Sequence, residues 1–356
     1  MNLPHLQSAR TFLLALSCMF SCMFIAPVTA GAEIETASIS QPLFAVDDIA
    51  EITISADFSR INREKDRDEE YRGSLSYITD AGDPVLLEVK FSVRGNNRLQ
   101  NCRFAPLWVD LDKDAVAGTL FEGQNRLKLV LPCESTSRHE EYLARELLAY
   151  RLFRLLDPGG FAVRQVRLEY VDPGRGSTSE LPGFFIEHHS RLADRTGMSE
   201  AEVASIRADQ LDPFQAELVD QFMFMIGNTD YSLITSADED CCHNSKLLQS
   251  GEHYFPVPYD FDSSGLVDAS YSTPNASLPI RRNTQRLYRG YCRDRNVVEE
   301  VLRFMQSKKD MLLSEASRTE SLSQRSAERV TAYLEGYFDI ISSQRTLERD
   351  IYGDCR

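Results

Sequence analysis

The stretch IGNTDYSLITSADEDCCHNSKLLQSGEHYFPVPYDFDSSG, residues 226–265, decides how this chain is read. An apolar helix end runs into Gly227, Asn228, Thr229 and Asp230. His243 and Asn244 follow, and a short apolar strand then leads into Tyr259, Asp260, Phe261 and Asp262. Two acids and an amide thus arrive at the ends of neighbouring elements. A carboxylate so placed can orient and deprotonate a hydroxyl, while a carboxylate and an amide oxygen can hold magnesium against nucleotide phosphates. Each of these residues alone is an ordinary cap or turn residue; the chemistry lies in the ordered combination.

Upstream, Leu87, Val89, Phe91 and Val93 alternate with polar residues, the period of a half-buried strand. It ends in Arg94, Gly95, Asn96 and Asn97, where glycine lets backbone amides approach a phosphate and Arg94 can complete the cradle. Asp110, Asp112 and Asp114 begin like a calcium loop, but Ala115 and Phe121 stand where glycine and glutamate are needed, so a polar turn is expected. Leu127, Leu129 and Leu131 mark another strand, with Lys128 on its opposite face. His139 to Leu156 reads as an amphipathic helix with Leu143, Leu147, Tyr150 and Leu155 on the packed side, stopped by Asp157, Pro158, Gly159 and Gly160.

Ile52, Ile54, Ala56 and Phe58 alternate as a strand, and residues 59–72, nearly all polar, are expected to be a solvated loop. Strands are expected over 161–171 and 183–189. Ser199 with Glu202 forms a potential capping box for a helix ending before Asp212 and Pro213, and Phe214 to Ile226 is a second helix with Leu218, Phe222 and Met225 buried. Helical spacing returns over 297–316 and 327–349.

The order Asp230, then His243 and Asn244, then Tyr259-Asp260-Phe261-Asp262, together with Arg94-Gly95-Asn96, resembles the CotH-type atypical kinases, whose logic recurs in HipA-like and phosphatidylinositol kinases. The resemblance covers about half the chain, from about Val89 to Ala269. One departure is plain: protein kinases place the asparagine five residues after the catalytic aspartate, whereas Asn244 lies fourteen residues after Asp230, with Cys241 and Cys242 between.

The resemblance implies an α+β, two-lobed, protein-kinase-like fold, with a β-rich N-lobe over 49–187 and a mainly helical C-lobe over 188–356. It implies transfer of the ATP γ-phosphate to a hydroxyl, with a protein Ser or Thr as acceptor and Mg2+ or Mn2+ as the metal. Asp230 would then be the base, Asn244 and Asp260 metal ligands, and Asp262 either a ligand to a second metal or a cap for the turn at Ser263, Ser264 and Gly265. Lys128 would neutralise phosphate charge and be held by Glu146 or Glu141; Arg94 and Gly95 would cradle phosphate; the backbone near Glu187 would meet the adenine. The competing readings are a catalytically inactive nucleotide- or metal-binding structural protein of the cell envelope, and a metal-dependent phosphohydrolase.

A chain of 356 residues can form one large domain or two lobes. Its formal net charge of −15 argues against nucleic acid or an anionic membrane as partner, but leaves nucleotide binding through a metal open. Residues 1–30 read as a cleaved signal peptide, with Arg10 before the apolar run and Val28, Thr29 and Ala30 as the cleavage site, so no stable membrane span is expected afterwards. Residues 31–48 read as a linker. The protein is therefore expected to be secreted or periplasmic.

Cys18 and Cys22 would leave with the signal, and Cys102, Cys133, Cys241, Cys242, Cys292 and Cys355 would remain. Six cysteines in an oxidising compartment suggest up to three disulfides among fifteen connectivities. Cys102 with Cys133, and Cys241 or Cys242 with Cys292, are the pairs expected.

Overall fold

The computed structural model describes residues 41–235 and 241–356; the expected signal segment and most of the linker lie outside the described residues. Of the linker, residues 41–48 pack on the body of the protein. Leu43 and Phe44 are buried, and Arg164 donates to the carbonyls of Leu43 and Val46.

The first half of the chain builds β1 (Ala50–Ser55), α1 (Phe58–Glu64), β2 (Tyr71–Ile78), β3 (Pro84–Val93), α2 (Asn97–Asn101), β4 (Leu107–Leu111), β5 (Arg126–Val130), α3 (Ser137–Leu156), β6 (Val163–Asp172) and β7 (Ser177–Ile186). The seven strands close in the order β1-β2-β3-β4-β5-β7-β6. All neighbours are antiparallel except β1 and β6, which run parallel from Ala50 opposite Val166 to Ser55 opposite Val171. This overturns the two-lobed, kinase-like arrangement expected from the sequence. The N-terminal half is not an open sheet lobe but a closed mixed barrel, and closure leaves no strand edge exposed.

Alternating residues fill the barrel: Ile52, Ile54, Leu75, Phe91, Val109, Leu129 and Phe185 are all buried there. Two local expectations fail at its rim. Phe58 does not continue β1, and residues 59–72 are not a loop throughout. The Asp57 side chain caps a helix by accepting from the Arg60 amide, which lets α1 bury Phe58 and Ile61. Asp112, by contrast, accepts from the Asp114 amide in the polar turn expected.

The rest of the chain is mainly helical: α4 (His189–Thr196), β8 (Ser199–Ala201), α5 (Pro213–Ile226), β9 (Ser245–Ser250), β10 (His253–Pro258), α6 (Arg295–Ser307), α7 (Lys309–Arg318) and α8 (Gln324–Ser342). Ser199 does not cap a helix; it enters a small sheet, opposite Gln249 of β9. The helical span expected over 297–316 is broken at Lys308 into α6 and α7. A second core forms where α3 and α5 meet the 259–262 segment. Phe153 lies 4.9 Å from Phe222, which lies 5.5 Å from Phe261. Among the described residues no helix is long and apolar enough to cross a membrane.

Three cysteine pairs are bonded: Cys102–Cys133, Cys241–Cys242 and Cys292–Cys355. The first is the pair expected. The partner expected for Cys292 is corrected, because the chain end returns to that segment and the Cys292 amide donates to the Arg356 carbonyl.

Helix α5 ends at Gly227, whose φ of 65° suits glycine and directs the chain toward Asp230. A Cβ at Gly227 would sit 2.1 Å from the Tyr333 hydroxyl, and the Tyr333 ring is held by the Arg286 guanidinium 3.8 Å from its centre. Gly227→Ala should therefore lower unfolding stability by about 2–4 kcal/mol. Tyr333→Phe in the same chain should restore part of the loss in denaturant melts, the left-handed backbone keeping the remainder.

Candidate functional site

Three cations reach the site from the barrel end. Arg94 follows β3, its amide donating to the Pro106 carbonyl, and Arg98 sits one helical turn on in α2. Lys128 projects from β5 with its ammonium 4.2 Å from the centre of the Tyr259 ring and 5.6 Å from that of Trp108. Among the described residues neither Arg94 nor Lys128 has a carboxylate at ion-pair distance. Among the described residues the Nε donors of Arg94 and Arg98 are buried without an acceptor. Burial and the neighbouring Arg94 pull the Lys128 ammonium down to about 7, against the pull of Asp260.

Helix α3 forms the floor. Glu146, 3% exposed, pairs with Arg98 at 3.2 Å, and Arg98 also donates to the Leu131 carbonyl. Glu146 therefore holds Arg98, not Lys128. The other candidate, Glu141, pairs with Arg145 at 3.3 Å. One turn along, the Tyr150 hydroxyl accepts from the Asp260 amide at 3.0 Å, setting the start of the acidic segment.

Asp260 and Asp262 lie within electrostatic reach of these cations, and Asp230, held by Asn244, lies within reach of Asp262. The Asn244 Nδ2 donates to the Asp230 carbonyl oxygen at 2.7 Å and to its Oδ2 at 3.2 Å, so two chain segments fourteen residues apart are brought together. The Asn244 amide oxygen receives no hydrogen bond among the described residues. His243 Nε2 lies 3.0 Å from the other Asp230 oxygen, and the His243 carbonyl accepts from the Ser232 amide; histidine here orients the loop. Asn244 and Asp260 are both left-handed, at φ 50° and 64°, a conformation that non-glycine residues adopt at a cost and that recurs at functional sites.

Asp262 is buried at 6% exposure, and among the described residues its carboxylate accepts one hydrogen bond, a long one from the Ser263 hydroxyl, 3.4 Å. Burial, reinforced by the carboxylates of Asp260 and Asp230, pushes it up to about 6 despite the pull of Arg98. Burial and the same Asp262 and Asp260 charges raise Glu146 against Arg98. The acidic side of the site thus holds more negative charge than its own cations neutralise. Hard oxygen donors in this state, two carboxylates and a free amide oxygen, suit a divalent cation such as Mg2+ or Mn2+.

A buried network lies beside the Asp230 segment. The Tyr231 hydroxyl donates to Asp220 at 2.8 Å; Arg293 pairs with Asp220 at 2.6 Å and Glu217 at 2.8 Å, and Tyr288 also donates to Glu217. Arg289 donates to the Thr229 carbonyl, immediately before Asp230.

Two expected residues fall outside this constellation. The Glu187 side chain is buried against Arg195 at 2.6 Å and accepts from the Ala162 amide, while its own amide donates to the Ala162 carbonyl, so that N–H is not free for an adenine. Gly95, at φ 73°, is a turn whose carbonyl accepts from Arg67. Arg98 and Tyr150 are the residues that sequence reasoning missed. A signal for Arg98 exists in its spacing of four from Arg94 across a helix start; Tyr150 reads as core alone. Among the described residues the one cluster with three close metal-ligand atoms is His189, Glu200 and Glu202, of which the two glutamates are exposed. The carboxylates of Asp230, Asp260 and Asp262 do not converge that tightly.

No protein family and no curated protein sequence matches this chain.

Because the folded state retains an Asp262 proton that the unfolded chain releases at its ordinary value of 3.8, chelator-treated protein should lose stability as pH rises from about 4 to about 6. Asp262→Asn should remove that part of the slope and leave the metal-free protein more stable by about 1–3 kcal/mol at pH 7. Denaturant melts across this range measure both, and an unchanged slope would show that Asp262 titrates as an exposed carboxylate.

Proposed function

We propose that this protein transfers the γ-phosphoryl group of ATP to a hydroxyl, with Mg2+ or Mn2+ held by Asp260, Asp262 and Asn244. The observation that carries this reading is the opposition of two walls. Among the described residues, the Arg94 and Arg98 Nε donors without an acceptor and Lys128 without a carboxylate partner stand on one side, and an under-neutralised set of oxygen donors on the other. Nucleotide phosphates with a bound cation satisfy both at once. The likeness of these residues to those of CotH-type kinases supports the chemistry without bearing on the architecture.

In this reading Arg94, Arg98 and Lys128 grip phosphate oxygens, and Glu146 keeps Arg98 in place. Asp230, 52% exposed at its side chain, meets the incoming acceptor. It orients the hydroxyl and takes its proton as the new oxygen–phosphorus bond forms and the bond to the departing nucleoside diphosphate breaks. The cation, when bound, neutralises charge on the phosphates. Asn244 fixes the Asp230 carboxylate and offers its own oxygen to the metal side. Exposure of Asp230 suits a large acceptor such as a protein serine or threonine. Three disulfides fit an oxidising compartment, and a secreted or periplasmic location follows as part of the same proposal.

Thermal melts with ATP and Mg2+ or Mn2+ should show a metal-dependent rise that Asp260→Asn removes. Asp230→Asn should keep the rise yet lower phosphoryl transfer by about 100-fold or more. Absence of any metal-dependent rise in the unaltered protein would leave a structural role for the chain and overturn the assignment.

A phosphate drawn to Lys128 should restore its ammonium, so ATP binding should take up a proton near pH 7 to 8 and weaken as pH rises through that window. Calorimetry in buffers of different ionisation enthalpy reads the uptake, and Lys128→Met should abolish it.

A further inference from the structure

Along α3, where it meets the start of α8, lies a cavity of about 470 Å³ lined by four arginines, Arg138, Arg145, Arg325 and Arg329, and by the carboxylates of Glu141 and Asp268. Arg145, 5% exposed, is fully engaged: its Nε donates to the Ser326 hydroxyl at 2.9 Å, Nη1 to the Val267 carbonyl at 3.0 Å, and Nη2 pairs with Glu141. Arg138, Arg325 and Arg329 are exposed and have no ion-pair partner among the described residues. In a chain with a net charge of −15, this concavity therefore carries a local excess of positive charge.

The placement of these arginines runs against helix stability. Arg138 and Arg325 are each the second residue of their helices, α3 and α8, where the aligned peptide dipoles disfavour a cation. Neither position is explained by packing or by a partner within the described residues. What such an arrangement suits is an external anion, met by guanidinium forks and by two helix starts that add field of the same sign. The volume exceeds what a bare oxyanion fills, since a water molecule occupies about 30 Å³.

We propose that this pocket binds a phosphate monoester, its dianionic group gripped by Arg325, Arg329 and Arg138 over the fixed Arg145. The site is separate from the acidic one and does not depend on the activity assigned there.

The test is calorimetric titration of the disulfide-bonded protein, free of divalent metal and at constant ionic strength, with inorganic phosphate, O-phosphoserine and glycerol 3-phosphate. Saturable binding is expected, tighter for an ester than for inorganic phosphate, and whichever ester binds tighter assigns the source as a modified side chain or a small metabolite. The double variant R325A/R329A should weaken binding at least about tenfold, given the strength of charge-assisted bonds to phosphate. Arg94→Ala, in the acidic site, should leave it unchanged. Without ligand, R325A/R329A should melt no lower than the unaltered protein, because the dipole disfavours Arg325 and the exposed Arg329 has no ion pair among the described residues to lose. No saturable binding at millimolar ester, binding lost in Arg94→Ala but kept in R325A/R329A, or a ligand-free R325A/R329A that melts lower would each overturn the proposal.

Discussion

The ion pair between Glu146 and Arg98 fastens the barrel to the helical half at the point where the site forms. Both groups are largely withdrawn from water, so neither can be left alone: breaking such a pair costs several kcal/mol because the survivor keeps its desolvation penalty. With the pair intact, α2 and the end of β3 are registered against α3. The same helix then fixes the Asp260 amide through Tyr150 and, on its other side, the Val267 carbonyl through Arg145. Cations from the barrel and carboxylates from the 230 and 260 segments thus share one frame of reference.

Electrostatics across this frame is unbalanced. Lys128 is pulled toward neutrality by burial and by Arg94, while Asp262 is pushed toward its acid form by burial and by Asp260 and Asp230. Each wall on its own is therefore uncomfortable. In the network of Glu217, Asp220, Arg293, Tyr231 and Tyr288 at α5 burial also raises both carboxyls, but there each acid has an arginine at ion-pair distance.

Local pattern in the amino-acid sequence carries much of this. Alternation marks β3 and β5, apolar spacing marks α3 and α5, and the order of Asp230, Asn244 and Asp260 along the chain is enough to single them out. What local pattern does not carry is long-range. The parallel pairing of Ala50 with Val166 closes the barrel, yet residues so far apart in the chain leave no local trace of it. Likewise, whether Glu146 holds Lys128 or Arg98 depends on how α2 turns after Gly95, which spacing does not encode. Ser199 reads as a helix cap because the competing β9 strand is about fifty residues away. Residues 59–72 read as solvated because only Phe58 and Ile61 face inward from α1.

Asn244 and Asp260 sit in backbone conformations where glycine would be the more stable choice, by about 1 kcal/mol at each position. The two positions therefore act as a record of selection written in the Ramachandran plot. A lineage with no demand on these side chains could drift to glycine at either place and gain stability, whereas a chain that keeps an amide and a carboxylate there gives up robustness for two oxygen-bearing side chains.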